Sequence, residues 1–120
     1  MASKPDRTSS SVKSSTIWIS YDLGVRGDYE GLYRWLDNHS AQECGDALAV
    51  LLFQWRTDLL ADLKFDMKNE VKFDKRSRVY VIYRDRDTNK NKGKFLVGGR
   101  KAAAWTGYAQ TSEGDTDEEN

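Results

Sequence analysis

Residues 47–55 read ALAVLLFQW, nine positions with one polar side chain, Gln54, before the closing tryptophan. A run this evenly apolar does not alternate, so its own pattern leaves two architectures open. It fits a central strand covered on both faces, or a strand packed heavily on one. The segments on either side bear on the choice. Upstream, Asp28 is a good N-cap for a helix from Tyr29 to about Asn38, whose Tyr29, Leu32, Tyr33 and Leu36 share one face. Trp35 widens that stripe. Downstream, Thr57 or Asp58 caps a second helix to about Glu70, with Leu60, Leu63, Met67 and Val71 on its buried side. Each helix carries a single apolar stripe, so both are expected on the same face of one sheet.

The remaining strands follow from β-branched and aromatic runs bounded by turn residues. Thr16–Asp22 and Arg78–Arg84 read as strands, as does Lys94–Val97, and Ala41–Cys44 reads as a short strand before a tight turn at residues 43–46. Asp85–Gly93 reads as a long polar hairpin loop, and Ala102–Ala109 as an extended arm carrying Trp105 and Tyr108. Helices that link strands of one sheet imply right-handed crossovers. The expected fold is α+β, a ferredoxin-like open sandwich with two helices on one face of a four- to five-stranded sheet. Its other face is left for solvent, a partner subunit or a ligand.

The chain has 120 residues, enough for one domain, expected over residues 16–110. Residues 1–15 are serine-rich and residues 111–120 hold five acids and no base, so both ends are expected as disordered tails. The net charge of zero hides an uneven distribution. Residues 16–71 hold five bases against ten acids, whereas residues 72–101 hold eleven bases against three acids. A segment so basic attracts a polyanion, or it merely solubilises a sheet edge. Cys44 is the single cysteine and His39 the single histidine, which excludes an intrachain disulfide and a histidine-pair metal motif. The longest apolar run is far too short to cross a bilayer and no apolar signal core is present, so the expectation is a cytoplasmic protein without membrane contact.

The first strand ends Ser20-Tyr21-Asp22-Leu23, and a capped helix, an apolar second strand, a second helix and a VYVI strand follow. Over Ile17–Tyr83 this order resembles the small CRISPR-associated spacer-acquisition nuclease family and its relatives, the virulence-associated protein D-type endoribonucleases and SinR-like proteins. The resemblance implies a ferredoxin-like homodimer acting on RNA or DNA. It also implies that Asp22, at the end of the first strand near the dimer axis, binds a divalent metal, Mg²⁺ or Mn²⁺, and takes part in phosphodiester cleavage. The basic hairpin and the aromatic arm have no counterpart in that family. Fold-level likeness does not assign activity.

The residues themselves support more than one role for each candidate. Asp22 holds a metal, faces water or caps a turn with Gly24 as the permissive residue. Asp28 is better explained as the helix cap, and Tyr21 points to the other side of the strand, toward core or interface. Cys44 is either a small buried residue or a nucleophile paired with His39. Lys90, Lys92, Lys94, Arg100 and Lys101 stand among glycines and suit a nucleic-acid backbone, with Trp105 and Tyr108 to stack on bases. Those two aromatics equally suit a core or a dimer anchor. Two functions result: a metal-dependent nuclease acting through paired Asp22, or a non-catalytic dimeric module that binds nucleic acid or protein.

Overall fold

A computed structural model describes residues 11–110. The chain begins in β1 (Lys13–Asp22), crosses through α1 (Tyr29–Asn38) to β2 (Gln42–Gly45) and β3 (Leu48–Trp55), and crosses again through α2 (Leu59–Lys68) to β4 (Arg78–Asp85) and β5 (Lys90–Val97). All four pairings are antiparallel, in the order β2-β3-β1-β4-β5. The fold is thus α+β, with β1 at the centre between β3 and β4. Among the described residues, no helix is long and apolar enough to cross a membrane.

Local chemistry sets the helix limits. Asp28 accepts from the Gly31 amide at 3.0 Å, satisfying one of the free donors of the first turn of α1. The helix ends in a Schellman motif: Ser40 has φ 54, its N–H reaches Asp37 O at 3.0 Å, and the Ala41 N–H reaches Leu36 O at 3.0 Å. Asp58, not Thr57, caps α2 through the Ala61 amide at 2.9 Å. Asp28 also accepts from the Lys72 amide at 2.9 Å, which ties the start of α1 to the chain leaving α2.

Both helices cover one face. Ile17, Ile19, Leu51, Phe53, Val79 and Val81 point under them and pack with Leu32, Trp35, Leu63 and Met67. Among the described residues the ALAVLLFQW run is covered on this side only: Ala49, Leu51 and Phe53 are buried, while Leu52 between them is 59% exposed. Its uninterrupted hydrophobicity reflects apolar side chains on both faces of a strand buried on one.

Three further expectations change. Lys13–Ser15, assigned to a disordered tail, belong to β1 and pair with Phe53–Trp55, so the domain begins before residue 16. Trp55 Nε1 donates to Ser15 Oγ at 3.0 Å, fastening that end. Of the remaining tail positions, residues 1–10 and 111–120 lie outside the described residues. The expected loop Asp85–Gly93 shrinks to a turn at 86–89, because β5 starts at Lys90 and pairs with Asp85. Asp85 holds that turn by accepting from the Thr88 amide and hydroxyl at 3.1 and 2.7 Å. The expected extended arm is instead a turn at 104–107 running into helical residues 108–110.

Candidate nucleic-acid interface

Asp22 is the last residue of β1, and its side chain leaves the sheet on the side away from the helices. It is half-exposed, at 51%. Its Oδ1 accepts from the Gly24 amide at 3.0 Å, and Gly24 takes φ +78, a conformation costly for any residue with a Cβ. Its Oδ2 lies 3.6 Å from Arg78, its cross-strand neighbour on β4. The turn-capping role is therefore present, and it leaves the carboxylate open to solvent. Tyr21 points to the helix side, edge-on to Tyr33, and its hydroxyl is pushed up mainly by burial and next by Tyr33. It takes no part in the exposed site.

Three loops meet beside Asp22. Residues 23–28 follow β1, residues 72–77 precede β4, and residues 98–101 follow β5. Together they line a cleft of about 480 Å³ that contains Asp22 with Lys75, Arg76, Arg78, Arg100 and Lys101. The middle loop is pinned from within: the buried Ser77 accepts from the Asp74 amide at 2.9 Å, and Asp74 accepts from the Arg76 amide at 2.9 Å. On the third loop, Gly98 has φ +74, and a Cβ there would crowd the Ser77 carbonyl. Arg78 and Arg100 both lie over the Phe95 ring, 6.0 and 5.8 Å from its centroid, which gives two of the five cations a fixed backing. Five bases around one carboxylate that is itself paired leave the cleft strongly positive.

The structure brings Asp22, Arg100 and Lys101 together and adds Lys75, Arg76 and Arg78, which sequence reasoning did not single out. Their signal was the run DKRSR immediately before the VYVI strand. Lys90, Lys92 and Lys94 are not part of the cleft. They line β5, the free edge of the sheet, and Lys92 lies 3.4 Å from Asp85 at the far end. Trp105 and Tyr108 are 77% and 69% exposed, which removes a role in the monomer core.

The cysteine–histidine pairing does not form. His39 places Nδ1 2.8 Å from Trp35 O and Nε2 3.2 Å from Asp66, which also accepts from Trp35 Nε1 at 2.8 Å. Cys44 is exposed, not buried as a small apolar residue, and its thiol faces Gln42 O at 3.7 Å. Among the described residues no three His, Cys, Asp or Glu side chains come together as a metal site. Asp22 offers a single carboxylate, with Oδ1 accepting from the Gly24 amide and Oδ2 facing Arg78, so any divalent ion there would take its remaining oxygens from water, substrate phosphates or a second copy. No known protein family, curated protein or solved structure matches the chain.

Proposed function

We propose that the chain is a nucleic-acid-binding module that holds a phosphate backbone in the cleft beside Asp22. The observation carrying this reading is the convergence of Lys75, Arg76, Arg78, Arg100 and Lys101, from two loops and the start of β4, onto one concave site. Neutralising phosphates with such groups releases counterions and makes binding strongly salt-dependent. At this end of the sheet the cations gather on the β4–β5 side, whereas Glu43 and Asp46 at the β2–β3 turn stand on the other side of β1, so a polyanion is drawn to the cleft and away from that turn. Trp105 and Tyr108 follow Lys101 closely and are free to stack on unpaired bases. The strand order, with two helical crossovers on one face, supports the ferredoxin-like assignment.

The test is anisotropy of labelled single-stranded RNA and duplex DNA with wild type and the Arg76→Ala/Arg100→Ala double variant. The variant is expected to bind about tenfold more weakly, with a shallower dependence of log affinity on log salt. Unchanged affinity and slope would remove the cleft as the site.

A second reading is kept because Asp22 is exposed within the same cleft: metal-dependent phosphodiester cleavage, as in the spacer-acquisition nuclease family that the chain resembles. It requires a second Asp22 from a homodimer, and the uncovered sheet face bearing Trp18, Leu52 and Ile82 supports such association. Cleavage with Mg²⁺ or Mn²⁺ that Asp22→Asn abolishes would establish it. Binding without cleavage leaves the first reading in place. A cytoplasmic location belongs with both readings.

A further inference from the structure

The two edges of the sheet are finished differently. The β5 edge carries Lys90, Lys92 and Lys94, the charged pattern that natural sheets use against pairing with another strand. At the other edge β2 is short and covers only Leu48–Val50, so Leu51–Trp55 of β3 have β1 on one side and no described strand on the other. That stretch reads LLFQW, with no lysine, proline or bulge.

The hydrogen-bond phase of this edge follows from one contact. The Tyr21 amide donates to Ala47 O at 3.1 Å, which fixes the odd-numbered residues of β3 as those directing N–H and C=O toward β1. The even-numbered residues direct theirs the other way. For Val50 that means toward Gln42 of β2; for Leu52 and Gln54 it means into an open cleft of about 630 Å³. Two donors and two acceptors, spaced as a strand spaces them, thus face outward. Phe65 of α2, 71% exposed, forms one wall of this cleft, and Leu52, 59% exposed, lies on the other. The cleft's carboxylates are already engaged: Asp66 with Trp35 and His39, and Asp62 with the Arg56 and Thr57 amides at 2.8 and 3.2 Å.

We propose that the β3 edge at Leu52–Gln54 accepts an extended peptide strand of a partner protein, pairing through its backbone and placing alternate apolar side chains against Phe65 and Leu52. A second copy of the chain fits less well. Five residues of free edge span about 17 Å. Pairing along them buries far less than the roughly 800 Å² per partner typical of a stable complex. A linear segment, by contrast, needs only the cleft. The inference is independent of the nucleic-acid reading, since it uses the opposite edge of the sheet from β5 and none of the cleft's cations.

The full chain would be panned against displayed random dodecapeptides, and enriched sequences synthesised. The expected result is slowed amide exchange at Leu52 and Gln54 on peptide addition. Binding should weaken about tenfold or more in Gln54→Pro, which loses only an outward N–H, and with peptides N-methylated at alternate amides. The N-methyl control keeps the test valid should the proline variant fold poorly. No enrichment, or binding indifferent to both changes, overturns the proposal. So does protection of the two amides without peptide, because a second copy (if it rises with protein concentration) or another part of the chain (if it does not) then occupies the edge.

Discussion

The same strands present two faces, and the two are finished very differently. Beneath the helices, Ile17, Ile19, Val79 and Val81 are fully buried. One residue along in the same strands, Trp18 and Ile82 are 39% exposed, and Leu52 on β3 is 59% exposed. Trp18 is the cross-strand neighbour of both Val50 and Ile82, so these side chains form a continuous belt across the bare face. The covered face accounts for the fold. The bare face uses residues equally apolar where no element among the described residues covers them. Burial pattern, not hydrophobicity, separates the face of the sheet that builds the core from the face that the described residues leave exposed.

The sharpest contrast should come from the centre of the covered side. Leu63 on α2 is fully buried, and Leu63→Ala is expected to cost about 2–5 kcal/mol in urea unfolding, from lost transfer energy plus a cavity. A loss under about 1 kcal/mol would mean that the helices sit loosely on the sheet.

Gly31→Ala tests the same layer from the opposite direction. Alanine favours helix by about 1 kcal/mol over glycine. Here, however, its Cβ would lie 2.6 Å from the Glu70 carbonyl and press on the Asp28 carboxylate. Overpacking of about 1–3 kcal/mol should therefore win, giving a net loss of stability. A stabilised variant would show that α1 can move away from the segment after α2.

On the bare face, Trp18→Thr keeps a strand-compatible side chain, and it is expected to change monomer stability by about 1 kcal/mol or less. The informative readout is mass by light scattering at increasing concentration. If Trp18 anchors a dimer, wild type will be heavier than the variant at equal concentration. A stability loss as large as that of Leu63→Ala would erase the distinction between the faces.

These contrasts also explain what the sequence disclosed. The limits of α1 were legible because Asp28 is a side-chain cap and an i, i+3, i+4, i+7 stripe starts at Tyr29 directly after it, and the structure agrees from Tyr29 to Asn38. The start of β5 was not, because KNKGK has poor intrinsic strand preference, and pairing with β4 overrides it. The run LAVLLFQW could not reveal its one-sided burial, since apolar side chains occupy both faces. In the cleft, Asp22, Arg100 and Lys101 stood out by local pattern. Lys75, Arg76 and Arg78 lie more than twenty residues before Arg100 in the chain, and only the pairing of Val79 with Val97 brings the two segments together.

Acid sensitivity should be the smallest effect, and it belongs to the helix side. Asp28 is held below its ordinary value of 3.8, first by the Lys72 amide and then by the Gly31 amide. Asp62 and Asp85 are lowered too, chiefly by the Arg56 amide and by the Thr88 hydroxyl respectively. A carboxylate with a depressed folded-state pKa is protonated first in the unfolded chain as pH falls, so its stabilisation is complete above about pH 4 to 5 and is lost as pH drops through the folded value. The urea midpoint should thus hold steady from pH 7 to about 5 and decline below about 4. Asp28→Asn keeps an oxygen able to accept from one amide but has no charge to titrate, so its midpoint should start lower at pH 7 and fall less steeply. Wild-type and variant curves of equal steepness would show that the link between Asp28 and Lys72, which binds the start of α1 to the chain leaving α2, is not what acid breaks.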